Sequence, residues 1–187
     1  MPVEIDISKV PAEKRNDPKF LELLAQMQAA LANPKWQAAF CIHEAGHKIY
    51  LSRFGITQFT FIGPYIVYDA ARDDFDGYPL AVKAEPVPLT AEGFDFEGWL
   101  VRVAQAKAAG GVFARRLTNA PDQGDAEDKD EFKRACALLR EKMPKLQIDE
   151  EGIWKHAQEE ISKELRSPEF RRNAWTQANE IKIQIFG

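Results

Sequence analysis

NPKWQAAFCIHEAGHKIYLSRFG, residues 33 to 55, decides the fold. Asn33 before Pro34 marks a helix entrance: the Asn side chain can cap free backbone N–H groups, and proline falls where a missing N–H does no harm. Helical spacing continues through Trp36, Phe40, His43, His47 and Leu51 to Gly55, a natural C-terminal stop, so the stretch predicts a helix of roughly five to six turns. Residues four apart on a helix share a face, which puts the imidazoles of His43 and His47 on one side of a rigid backbone. This spacing suits a single Zn2+ ion. Glu44, about 100° round the helix, stands at the edge of that face, as a general base rather than a ligand. The chain has 3 histidines, and two of them flank a glutamate inside a segment that independently reads as helix, so a chance HExxH is the weaker account. Gly46 in mid-helix makes sense where a second element must pass close, although an ordinary packing glycine would look the same.

Toward the N-terminus, DPKFLELLAQMQAAL (17 to 31) has helical apolar spacing behind a polar start. Past Gly55 the character changes. TQFTFIGPYIVY (57 to 68) and YPLAVKAEPV (78 to 87) are rich in β-formers, with the polar turn DAARDDFDG (69 to 77) between them and Pro64 and Pro79 limiting their regularity. A small, irregular antiparallel sheet is expected there. EGWLVRVAQAKAAGGVFARRL (97 to 117) returns to helical spacing, with Gly110 and Gly111 costing about 1 kcal/mol each against alanine unless close packing compensates. TNAPDQG (118 to 124) reads as a loop. Further helices follow from near Asp125 to before Pro144, from Glu150 to Arg166, and from Pro168 to Asn179, while EIKIQIF (180 to 186) alternates with period two and reads as a strand or an association surface. The expected fold is mainly α (α+β): one domain over 1–187, with a small antiparallel hairpin or sheet after the HExxH helix.

With 45% hydrophobic and 29% charged residues, the chain can build a real core, and a net charge of -4 argues against nucleic-acid or anionic-membrane partners. No apolar run is long enough to span a bilayer, and the first residues lack the apolar core of a signal peptide, so a cytoplasmic protein without membrane insertion is expected. Cys41 and Cys136 form no CxxC and read as reduced thiols in packing positions. The acids Asp69, Asp73, Asp74 and Asp76 read as a solvated turn; their spacing does not match an EF-hand.

A catalytic zinc needs a third protein ligand. A third histidine at metzincin spacing would fall at Arg53, and a glutamate from a following helix would need a helix where strand signals stand. His156 is a candidate, although beside Trp154 a packing role suits it better. The remaining candidates are the acids of GDAEDKDE: Asp125, Glu127, Asp128 and Asp130. Acids are also favoured in the first turn of any helix, which accounts for them without a metal.

FCIHEAGHKIY, a β-rich segment, AKAAGGVFARRL and QGDAEDKDEFKRACALL follow one another in an order that resembles the peptidase domain of FtsH-type ATP-dependent zinc proteases. The likeness spans about 35–139 and leaves a helical extension over about 145–187. It implies a zincin-like domain in which His43, His47 and Asp128, four residues after Gly124, hold Zn2+ and Glu44 is the catalytic base of a metallopeptidase acting on a peptide or protein substrate. TQFTFIG (57 to 63) is the segment best suited to take an extended peptide as an added strand, though its apolar residues suit core packing as well, with Phe59 and Phe61 on one face. The chain departs from that family in having no GxxxxGK[ST] loop and no membrane segment, so intrinsic ATPase activity is not expected. It also has Arg115 and Arg116 where the family often has acids; these otherwise read as a solvated face. Two rival readings share the HExxH helix: a regulatory metalloprotease of the ImmA/IrrE type, and an inactive peptidase-like module that only presents a binding surface. Nothing in the sequence specifies an oligomeric state.

Overall fold

The computed structural model describes residues 3–78, 80–84, 95–119 and 125–187. Within them the chain is mainly helical, with a small antiparallel β region. Pro79, the segment 85–94 and the loop 120–124, which carries Gly124, lie outside the described residues.

Helix α1 (Pro18–Ala32) begins behind Asp17, whose carboxylate accepts from the Lys19 N–H, and ends at Asn33. The same Asn33 opens helix α2 (Pro34–Ser52), its side chain accepting from Lys35 N at 2.9 Å and Trp36 N at 3.4 Å, so one residue both stops α1 and starts α2. Past the end of α2, Gly55 takes φ 79, a left-handed conformation that glycine adopts without a Cβ penalty.

The β region is two nested ladders rather than one sheet. Strand β1 (Phe59–Ile62) pairs antiparallel with β4 (Ala81–Ala84), and β2 (Tyr65–Asp69) with β3 (Asp74–Tyr78). The stretch 69 to 77, expected as a turn throughout, turns only briefly and already contains most of β3. The reason is aromatic: Phe75 packs against Phe20 of α1 and Tyr68 of β2, and Tyr78 stacks on Tyr65 with ring centroids 4.7 Å apart. The acids around them are matched by Lys14, Lys19 and Arg72. The polar start is likewise more ordered than its composition suggests. Asp6 bridges to β2, donating to Pro64 O and accepting from Ile66 N, and Val10 is buried with Phe20 and Ile66 in a small second core.

Helix α3 (Phe96–Thr118), capped by Asp95, crosses α2 in the main core, with α4 (Asp125–Lys142) and α5 (Glu150–Glu164) packed on α3 and α6 (Pro168–Phe186) on α2. EIKIQIF is not a strand: it forms the last turns of α6. Ala174, Ala178 and Ile181 are buried and Ile185 packs beside them, a helical stripe, whereas Ile183 on the other side is 72% exposed. None of the described helices is long and apolar enough to cross a membrane.

Candidate metal centre

Helix α2 is buried along most of its length, and among the described residues the buried polar or charged side chains are His43, Glu44 and His47. Burying such groups is unfavourable unless each finds a partner. His47 Nδ1 lies 2.7 Å from the Ala106 carbonyl of α3; a carbonyl only accepts, so Nδ1 carries a hydrogen and Nε2 is turned toward His43. The two Nε2 atoms are 2.9 Å apart.

Asp128, in the first turns of α4, completes the group. Its Oδ2 stands 3.4 Å from His43 Nε2 and 3.3 Å from His47 Nε2. This oxygen is buried and has no hydrogen-bond partner, and neither has His43 Nδ1. Two nitrogens and one oxygen thus converge on a point that lies about 1.9 Å from each, close to zinc–nitrogen and zinc–oxygen distances of about 2.0–2.2 Å. Ligand atoms of a tetrahedral zinc stand about 3.3 Å apart, so two edges of the triangle already match and the third is somewhat short. The donor set, two imidazoles and a carboxylate, is of a kind that Zn2+ accepts.

The glycines explain how three helices can meet here. A Cβ on Gly46 would lie 2.7 Å from the Ala109 carbonyl oxygen, so α2 and α3 touch backbone to backbone, as a glycine in mid-helix suggested. A Cβ on Gly110 would lie 2.5 Å from His47 Nε2 and 2.6 Å from His43 Nε2, inside the space that a cation between the imidazoles would need. One on Gly111 would run into the Asp125 carboxylate of α4. The helix-propensity cost of the pair in α3 is therefore the condition for closing the site.

Electrostatics tie the three groups together. Burial lowers the His47 pKa, but the Asp128 carboxylate, Glu44 and the Ala106 carbonyl overcome it and push the imidazole up to about 9. Burial likewise raises the Asp128 carboxyl, and the imidazoles reverse this, holding it well below the usual carboxylate range. The two shifts share one cause: within this buried group an imidazolium and a carboxylate favour one another.

The other third-ligand candidates lie elsewhere. His156 is exposed on α5, not packed, while its neighbour Trp154 is buried against Phe132. Glu127 and Asp130 are exposed, the latter near Lys133, and Asp125 is bonded by Arg115. Arg116 is exposed as a solvated face requires, but Arg115 is not simply solvated, and its tie to Asp125 was missed because nothing in the sequence pairs the two. Cys41 and Cys136 are free and buried, and burial pushes their thiols up to about 12 and about 11. Comparison with protein-family models, curated proteins and solved structures finds no match.

Proposed function

We propose that this chain is a zinc-dependent metallopeptidase, with His43, His47 and Asp128 as the ligands and Glu44 as the general base. The observation that carries the reading is the convergence of His43 Nε2, His47 Nε2 and the buried Asp128 Oδ2 on one point beside a buried glutamate. Zinc, when bound, would supply a Lewis acid for the scissile carbonyl of a peptide.

The rest of the chemistry falls to the protein. Glu44 follows His43 directly, about 100° round the helix, so it stands at the border of the metal face, from where its carboxylate can take a proton from the attacking water and pass it to the leaving amine. Its burial keeps competing solvent away and strengthens its field, already felt by His47. The Ala106 carbonyl holds the His47 ring so that Nε2 faces inward, and the Gly46 contact keeps α3 close enough to do so. Strand β1 is paired with β4 on one side, Phe59 and Phe61 are both half-buried and Phe61 packs on the main core. Among the described residues no strand pairs with its other edge, which suits it to take an extended peptide as an added strand. A cytoplasmic location belongs to this reading and is supported by the two free, buried thiols.

The experiment compares the wild type with Glu44→Gln for zinc content and for hydrolysis of unfolded peptides. Both should carry one equivalent of zinc, and cleavage should drop by about 100- to 10,000-fold in the variant. Zinc uptake without cleavage by either protein would favour an interaction module on a metallopeptidase-like scaffold; no zinc uptake would remove the proposal altogether.

A further inference from the structure

Asp125, Asp128 and Glu131 recur at every third position of α4. The two outer acids have cationic partners on α3: Arg115 Nη1 bonds the Asp125 carboxylate, and Lys107 Nζ bonds that of Glu131. The middle acid faces the two imidazoles instead, and among the described residues no lysine or arginine pairs with it. Lys107 and Arg115 stand about 12 Å apart along α3, and Asp125 and Glu131 about 9 Å apart along α4, so the two ion pairs bracket Asp128 from both ends. A helix tied at one point can still slide or rotate; one tied on both sides of a residue holds that residue's height and direction.

Both pairs are partly exposed, with side chains 32% and 21% accessible for Arg115–Asp125 and 34% and 40% for Lys107–Glu131. Solvent screens such pairs, so they add little to the stability of the fold. Position is what they can supply. Gly111 is part of the same device, because a Cβ there would overlap the Asp125 carboxylate that Arg115 bonds.

We propose that Arg115–Asp125 and Lys107–Glu131 are positioning pairs that hold Asp128 over the His43 and His47 nitrogens before an ion arrives, so that the third ligand is preorganised. The inference rests on the metal-binding reading of the site. It assigns Arg115 and Lys107 a role in ion affinity although neither touches the ion.

The test measures zinc affinity by competition with a chromophoric chelator, and the visible absorption of the cobalt-loaded protein, for the wild type, Arg115→Ala, Arg115→Lys, Asp125→Asn, Lys107→Ala and Arg116→Ala. Removing Arg115 or the Asp125 charge should weaken zinc binding about tenfold or more and alter the cobalt bands; removing Lys107 should act the same way and more weakly. Lysine at 115 should recover most of the loss. Arg116→Ala deletes the same charge one residue away and should change neither readout. Metal-free melting temperatures should stay close to wild type throughout, which a merely structural role would not produce. If Arg115→Ala fails to fold, the lysine and Asp125→Asn variants still decide. Wild-type affinity in Arg115→Ala and Asp125→Asn, or equal losses in Arg115→Ala and Arg116→Ala, would overturn the positioning role alone. A wild type that takes up neither zinc nor cobalt would overturn the metal reading beneath it.

Discussion

Replacing Gly110 by alanine adds one methyl group where the two imidazoles meet. The new carbon would lie 2.5 Å and 2.6 Å from the two Nε2 atoms, whereas an unstrained contact is about 3.5 Å, so each ring has to retreat by about 1 Å. Helix α3 cannot back away freely, because the carbonyl of Ala106 holds His47 and the two helices share the main core. In the metal-free chain the change should be modest: alanine gains about 1 kcal/mol of helix propensity, overpacking costs about 1–3 kcal/mol, and a net loss of about 0–2 kcal/mol remains. Zinc binding should suffer far more, since ligand sets tolerate displacements of only about 0.5 Å and the ion's space is itself taken. A loss of at least about 100-fold, or about 2.7 kcal/mol, is expected. The assay is thermal unfolding with and without excess zinc, together with a competition titration. Zinc should raise the wild-type melting temperature and leave that of Gly110→Ala nearly unmoved. A Gly110→Ala protein that binds zinc as tightly as the wild type would refute the placement of the ion between these nitrogens.

Three further outcomes rest on the same geometry. Because His47 is raised to about 9, zinc has to displace its proton at neutral pH, so calorimetry in buffers of different ionisation enthalpy should show proton release at pH 7 and apparent affinity should climb about tenfold per pH unit toward 9, then level off; a pH-independent affinity would contradict the His47–Asp128 coupling. In the metal-free chain the raised His47 contributes stability that is present below its unfolded value of 6.5 and lost as pH rises through about 9, while the lowered Asp128 contributes stability present above 3.8 and lost as pH falls through its depressed value. Asp128→Asn should weaken zinc binding by about 100-fold and reduce the proton release, whereas His156→Gln and Asp130→Asn should leave zinc affinity unchanged; the opposite ranking would move the third ligand off α4.

The helices were legible wherever local signals agreed. Asn33–Pro34 announces the start of α2 and Asp17–Pro18 that of α1, because a side-chain cap and a proline act within one turn and need no distant partner; α6 likewise begins at Pro168, with Ser167 as its cap. Local signals misled in two places for one reason. Asp69 to Gly77 looks like a turn, and Glu180 to Phe186 like a strand, until Phe75 finds Phe20 and Ile181 and Ile185 find the core. Period two over three isoleucines is too short to outweigh the register set by Ala174 and Ala178.

At the metal centre the division is sharper. His43, Glu44 and His47 are set by the sequence on its own, since four residues of helix put two imidazoles on one face whatever surrounds them. Which of several nearby acids joins them is decided only when α4 packs against α3. Asp125, Asp128 and Asp130 differ little as residues, but a helix turns about 100° per residue, so contact with α3 sends Asp125 to Arg115, Asp128 to the imidazoles and Asp130 to solvent. That choice is made by long-range packing through Gly46, Gly110 and Gly111; in the sequence it was the resemblance, not helix geometry, that singled out Asp128.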